Sequence, residues 1–280
     1  MTEVAVSALR VGHCRHPQIM SIRDGSLRPV VFPALAMLIV HPGEGPILFD
    51  TGYDPAFLDA TRPFPERFYR WLTPVTLKPG EELGAQLAAR GIAPADVRHV
   101  VLSHFHADHM AGLHLFPGAA IHCARAGLEA ACGAGRIAGV RKGILKALFP
   151  SDIEVRARYF EEAPRAALPA GMAPFESGAD LFGDGSLLAV ELPGHCPGHW
   201  GLAVADAGHG LHFMVGDAAW SSDAIRRNVP PPAIASGFLG DTRMVRETLA
   251  RLHALWRRNP EVRLTPCHCP ERAAEAVAGR

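Results

Sequence analysis

Four side chains able to bind a metal fall within His104-Phe105-His106-Ala107-Asp108-His109. Imidazole nitrogens and carboxylates are ligands of zinc and related divalent cations, and such a cation acidifies water and polarises carbonyl or phosphoryl oxygens. The preceding run His99-Val100-Val101-Leu102 reads as a short buried strand, and Met110-Ala111-Gly112-Leu113 reads as the start of a helix. A strand that opens into a helix through a tight turn aims several side chains at one point. In extended chain His104 and His106 face the same side and can chelate one ion. Asp108 and His109 then stand at the helix entrance, turned towards a second ion beside the first. The rival account is chance clustering in a chain with 15 His, and the strand-to-helix context argues against it.

Three more strand ends carry ligand types. Pro193-Gly194-His195-Cys196-Pro197-Gly198-His199 holds two imidazoles in a loop stiffened by glycine and proline. Val215-Gly216-Asp217 ends an apolar run in a carboxylate, which needs a cation or donors to be tolerated there. Pro266-Cys267-His268-Cys269-Pro270 ends the last expected strand. Each alone reads as structural. Together with the first cluster they supply what two adjacent ions need, provided one carboxylate bridges them.

The elements that must position these groups are strands over residues 4–12, 29–40 and 46–49, the last leaving through Asp50-Thr51-Gly52. A short helix over 81–90 stops at Gly91, and a strand follows the metal turn at 119–123. Strands are expected at 187–192, 201–204, 211–215 and 261–265, and Pro230-Pro231-Pro232 is a stiff extended segment. Asp241 caps a helix whose Val245, Leu249, Leu252 and Trp256 share a face. Residues 54–80 carry Phe57, Phe64, Phe68, Tyr69, Trp71 and Leu72 among prolines 55, 63, 65 and 74. This segment is expected as core or as a lid over the site, with Phe64, Phe68, Trp71 and Trp220 as the candidate substrate pocket. Residues 125–165 read as a helical insertion with a basic, solvated face. No linker interrupts 1–280, so one domain is expected, built as two similar halves face to face.

Composition sets the outer bounds. The 280 residues are 48% hydrophobic and 20% charged, with 28 basic against 28 acidic side chains. That balance gives no electrostatic case for nucleic acid. Six cysteines without repeated spacing suit free thiols in a reducing cytosol. Neither a signal peptide nor an apolar run long enough to span a membrane is seen, so a cytoplasmic protein is expected, without membrane partners. A small molecule is the expected partner, and the reading allows for a homodimer.

His104-x-His106-x-Asp108-His109, followed in order by His195, Asp217 and His268, resembles the metallo-β-lactamase superfamily. Asp50-Thr51-Gly52 and the Pro-Gly-His-x-Pro-Gly-His loop resemble it too, so the likeness spans residues 46–270. The resemblance implies an α/β fold, the αββα four-layer sandwich, with the site along one edge. It implies that His104, His106 and His195 hold one ion, that Asp108, His109 and His268 hold the other, and that Asp217 bridges them. It further implies that Asp50 and His199 orient these ligands from behind. Two divalent ions, zinc by ligand type with iron, manganese or cobalt as alternatives, would share a water about 3.5–4 Å-spaced metals turn into hydroxide near neutral pH. Asp108 and Asp217 are then the catalytic carboxylates, and no cysteine ligand is needed.

Within that superfamily the pattern is most similar to N-acyl homoserine lactonases, which implies opening of a lactone or cleavage of an ester. Glyoxalase II-like thioesterases share much of the site. A mononuclear iron oxygenase similar to persulfide dioxygenases would use His-x-His with a third His and an Asp, leaving Asp108, His109 and His268 dispensable. A ligand-binding member without activity is a further alternative, against which the complete ligand set argues. One departure stands out: such lactonases commonly carry Tyr three residues after the bridging Asp, and this chain has Trp220. An indole donates one hydrogen bond but does not transfer a proton as a phenol can.

Overall fold

Two long strands, β1 (Glu3–Pro17) and β2 (Pro29–His41), pair antiparallel, and their register shifts between Arg10 and His13. β3 (Gly45–Phe49) returns along β2. Parallel additions of β5 (His99–Val101), β6 (Ala120–Cys123) and β7 (Ala157–Tyr159) extend the sheet beyond it. The short β4 (Val75–Thr76) lies on the far part of β1. A second sheet runs β8 (Arg165–Ala167), β9 (Ser177–Asp180), β10 (Leu187–Glu191), β11 (Trp200–Asp206), β12 (Gly210–Gly216), β13 (Arg263–Pro266). The sheets join where β1 meets β11 in parallel, at Glu3 opposite Ala205 and Val4 opposite Asp206. This computed structural model describes all residues except 234–236, 238–239 and 279–280.

Strand alternation turns these sheets into four layers. Leu35, Met37 and Ile39 of β2, with Ile47 and Phe49 of β3, point inward and meet Leu187, Ala189, Leu202, Val204 and Met214 of the second sheet. Their neighbours Ala36, Leu38, Leu48 and Val100 point the other way, against Leu83 and Leu87, Met110 and Leu128. Those residues sit on α3 (Leu83–Ala88), α4 (Ala107–Met110) and α5 (Arg125–Gly133). On the opposite outer face Leu188, Val190, Phe213 and Val215 pack against Leu249, Leu252 and Leu255 of α9 (Thr242–Arg258). The result is the αββα sandwich, with apolar residues on both faces of each sheet because both faces are covered. Among the described residues, no helix is long and apolar enough to cross a membrane.

The structure departs from the sequence expectation at four places. Helix α4 is the single turn Ala107–Met110 and does not start at Met110, so Asp108 and His109 lie within it and not ahead of it, with His106 at the N-cap. Residues 125–165 are not one helical insertion, because β7 forms the outer strand of the first sheet. Their cations do lie mostly at the surface as expected: Arg136, Arg141, Lys142, Lys146 and Arg158 are exposed, Arg136 pairing there with Glu66, while the half-buried Arg156 donates to the carbonyls of Phe116 and Ala119. Strands β4, β8 and β9 have at most four residues and no alternation to announce them. Residues 54–80 form two short helices, α1 (Pro55–Ala60) and α2 (Arg67–Leu72), before β4.

Candidate metal centre

The strand ends expected to carry ligands converge on one edge. Asp50 follows β3, the His104–His109 turn follows β5, the His195 loop lies between β10 and β11, Asp217 follows β12, and His268 follows β13. One side-chain nitrogen each from His104, His106 and His195, together with the Cys196 thiol, lie within 4.8 Å of one another, as do ligand atoms of Asp108, His109 and His268. Ligand atoms of His104, His109 and Asp217 form a third group of the same tightness that overlaps both sides. The Asp217 carboxylate reaches across: Oδ1 is 3.2 Å from His268 Nε2 and 3.4 Å from His109 Nε2, and Oδ2 is 3.4 Å from His195 Nε2.

Hydrogen bonds behind the cluster set the tautomers. His109 Nδ1–H donates to Asp50 Oδ2 at 2.8 Å, and His268 Nδ1–H donates to the Pro33 carbonyl at 2.7 Å. Each therefore turns Nε2 to the centre. Ser103 Oγ–H donates to Asp50 Oδ2 at 2.8 Å, which leaves it to accept from His104 Nδ1 at 2.9 Å. Asp50 also accepts from the Ser103 amide, and the Cys267 thiol donates to it at 3.5 Å. Burial pushes the Cys267 thiol up to about 12, so it stays a donor and not a thiolate ligand. Cys269 pairs with Ser222 instead.

Asp50 has φ 59°, a left-handed backbone that is uncommon outside glycine. The conformation is over-determined, since the Asp50 amide donates to the Val101 carbonyl and both the amide and hydroxyl of Thr51 donate to the His109 carbonyl. His199 is fully committed: its Nδ1–H donates to the Leu192 carbonyl at 3.1 Å, and its Nε2 accepts from the Asp217 amide at 3.0 Å. No lone pair is left for a metal. Gly216 makes this possible, because a Cβ there would stand 2.7 Å from His199 Nε2.

The fit to cations rests on atoms without partners. His104 Nε2, His109 Nε2 and Asp217 Oδ1 are buried and make no hydrogen bond, an arrangement that is costly unless another group fills the role. Charge points the same way. Burial pulls His109 and His268 down, but Asp217 with the neighbouring Asp108 outweighs it and holds both imidazoles well above their ordinary range. Burial lowers His104 and His195 far below that range and His106 to about 4, so these three are neutral ligands in waiting. Asp108 is held at about 2, burial being overcome by His109 and His268. Cations at this place would balance the same carboxylates. The nitrogen and oxygen donors fit two adjacent divalent ions.

A cavity of about 780 Å³ opens onto this centre. His106, Asp108, His195, Asp217 and His268 form its floor, and Trp220 stands beside them, edge-on to His268 at 5.2 Å and to Phe32 at 5.4 Å. Phe68, Tyr69 and Leu72 of α2 form one wall, and Ile137, Val140 and Arg141 of α6 (Arg136–Arg141) form another. Phe64 and Trp71 do not line it. The cavity face of α2 is the 68, 69, 72 stripe, and helical geometry turns Trp71 off that stripe. Phe64 and Trp71 pack edge-on with each other and with Phe68 at the surface, 50% and 58% exposed. Sequence reasoning also left Ser103 and the Pro33 carbonyl without roles. Ser103 adjoins the first ligand and carried a signal, whereas a backbone carbonyl on a distant strand carries none.

Known proteins share both the pattern and the shape. A probable metallo-hydrolase of Mycobacterium tuberculosis is 28% identical over 251 residues, 84% of this chain and 74% of that one. The N-acyl homoserine lactonase AttM of Azorhizobium caulinodans is 32% identical over 152 residues, 54% of this chain and 52% of its own. A solved N-acyl homoserine lactone hydrolase, with the product N-hexanoyl-L-homoserine at its catalytic metal centre, covers 98% of this chain and 97% of its own at TM-score 0.73. At 19% identity that likeness speaks to the fold alone. The family model described as the metallo-beta-lactamase superfamily matches residues 29–268. Because that match begins at the first residue of β2 and ends on the imidazole after β13, the chain belongs to the metallo-β-lactamase superfamily.

Proposed function

We propose that this metallo-hydrolase opens a lactone or cleaves a carboxylic ester of a small, partly apolar substrate. His104, His106 and His195 hold one divalent cation, Asp108, His109 and His268 hold a second, and Asp217 lies between them. Zinc suits these donors best, and iron, manganese or cobalt also fit. When bound, two such cations bring a shared water's pKa towards neutrality and polarise a substrate oxygen. The chain's own residues do the rest. Asp50 and the Pro33 carbonyl fix the orientation of His109 and His268, and His199 holds the backbone of Asp217. Asp108 and Asp217 are the carboxylates that reach the cavity, and one of them takes the single proton the attacking water sheds.

The observation that carries the reading is the cavity of about 780 Å³ that runs from this centre between α2 and α6. Its walls are mostly apolar, which suits an acyl chain and not a phosphodiester. The named lactonase relatives support the same class. A mononuclear iron oxygenase has no use for the grouping of Asp108, His109 and His268, and that grouping favours two ions. Six free cysteines suit a reducing compartment, and we assign the protein to the cytoplasm.

The test is proton release near pH 8 by metal-loaded protein against lactones, esters, thioesters and phosphodiesters, with bound metal counted by mass spectrometry. Metal-dependent turnover of lactones or esters is expected, with two ions per chain. Turnover confined to thioesters would move the reading to the glyoxalase II-like alternative. Silence across the panel with dioxygen uptake and one bound iron would replace it with the oxygenase.

A further inference from the structure

An alkyl ester or lactone asks for one group more than a water and a polarised carbonyl: its departing oxygen must gain a proton. The chain has three tyrosines. Tyr159 does not line the cavity and instead lies beneath the Arg125 guanidinium. Tyr53 is fully buried, and its hydroxyl is paired with the Cys14 thiol. Tyr69 differs from both.

Its ring is held edge-on by Phe57, centroids 5.4 Å apart, which fixes the direction of the hydroxyl. Tyr69 Oη and His106 Cδ2 converge on the bare face of Gly143: a Cβ there would stand 3.6 Å from the first and 3.3 Å from the second. Tyr69 shares the cavity with His106, Asp108 and Asp217. No hydrogen bond to another described residue competes for its hydroxyl. Across the cavity Trp220 offers only an indole N–H, which donates but does not transfer a proton.

We propose that the Tyr69 hydroxyl donates to the leaving oxygen of the ester or lactone as its C–O bond breaks. This rests on the ester-hydrolysing reading above. The water oxygen bonds to the acyl carbon and sheds its proton to a cavity carboxylate. The electron pair of the breaking C–O bond goes to the leaving oxygen, which takes the Tyr69 proton. The carboxylate's proton then returns to the phenolate through solvent, so the sum is ester plus water giving acid plus alcohol. Helix α2 thus supplies a catalytic residue as well as a wall.

Metal-loaded wild type and Tyr69→Phe, with metal content and melting temperature matched, are compared on two substrates that share one acyl group. With an alkyl ester or lactone, kcat falls about 100-fold or more in the variant. With a 4-nitrophenyl ester, whose phenolate leaves without a proton, kcat changes by less than about threefold. A binding readout needs no turnover. By calorimetry the variant holds the ring-opened hydroxy acid roughly five- to tenfold more weakly than wild type, and holds the same acid lacking the hydroxyl equally well.

Equal losses on both substrates, or no loss, together with unchanged affinity for the hydroxy acid, would overturn the role of Tyr69 and leave the ester reading standing. A wild type with two bound metals that neither cleaves the substrates nor binds the acids would overturn the ester reading and Tyr69 with it.

Discussion

At the scale of single residues, the proposed centre separates side chains that would reach the ions from those that would aim them. Asp217 does the former and is the group on which both halves depend, because it contacts His109, His195 and His268. Asp217→Ala is expected to lose at least one metal per chain by mass spectrometry and essentially all hydrolysis; a fully active variant would refute the ligand assignment. His199 does the latter. Its two nitrogens are spent on the Leu192 carbonyl and the Asp217 amide, so His199→Ala keeps every proposed ligand while freeing the backbone that carries one. Loss of such a supporting contact typically costs about 10–100-fold in metal affinity, and competition against a chromophoric chelator measures it. Affinity equal to wild type would mean that β12 alone holds Asp217 in place. The candidate ligands were legible in the sequence because they cluster after expected strands, and the structure brings them to one edge. The aiming set was only half legible: Asp50 and His199 sit in recognisable turns, but Ser103 and the Pro33 carbonyl act through hydrogen bonds that exist only once β2, β5 and β13 are assembled.

At the scale of elements, legibility followed length and periodicity. β2, β10, β11 and β12 have enough alternating or continuous apolar residues to declare themselves, and α9 has a full buried stripe from Val245 to Leu255. The two-residue β4 and the three-residue β7 and β8 have neither, and they exist because an already folded neighbour offers hydrogen bonds. The same reason hid the true start of α4, where the ligands themselves form the helix and its apolar partners lie elsewhere. Segment 54–80 was readable as aromatic but not as to which aromatics face the cavity, since that depends on where α2 begins. The Asp241 cap illustrates a legible element tied to the site. Its carboxylate accepts from the amides of Arg243 and Met244 at 2.8 and 2.9 Å, while its own amide donates to the Gly194 carbonyl beside His195. Asp241→Ala should destabilise the fold by about 1 kcal/mol in urea unfolding. The backbone bond to Gly194 survives the substitution, so metal content should stay at the wild-type level, and a variant that loses metal as well would show that the cap positions His195.

At the scale of the whole molecule, the sandwich holds buried ionisable groups away from the metal centre, and these set how it responds to acid. His122 lies on β6, bonded to His99 at 3.1 Å and edge-on to Phe182, with only 7% of its surface exposed. Burial, then His99 and Arg158, lowers its pKa to about 4. An unfolded histidine titrates near 6.5. Between those values the unfolded chain binds a proton that the folded chain refuses, so stability rises with pH there and is lost as pH falls from about 6.5 towards 4. A displacement of that size corresponds to about 3 kcal/mol, a large part of the net stability of a typical domain. The proposed metal ligands also titrate, so the comparison belongs to chelator-treated protein, where their contribution is common to wild type and variant. His122→Gln keeps a polar group facing His99 and removes the proton-binding site. Unfolding free energies at pH 7 and pH 4.5 should then differ by about 2–3 kcal/mol less in the variant than in wild type. If both lose stability equally over that interval, His122 does not carry the acid sensitivity, which then rests with the other buried histidines, His99 and His212 of the sheets among them.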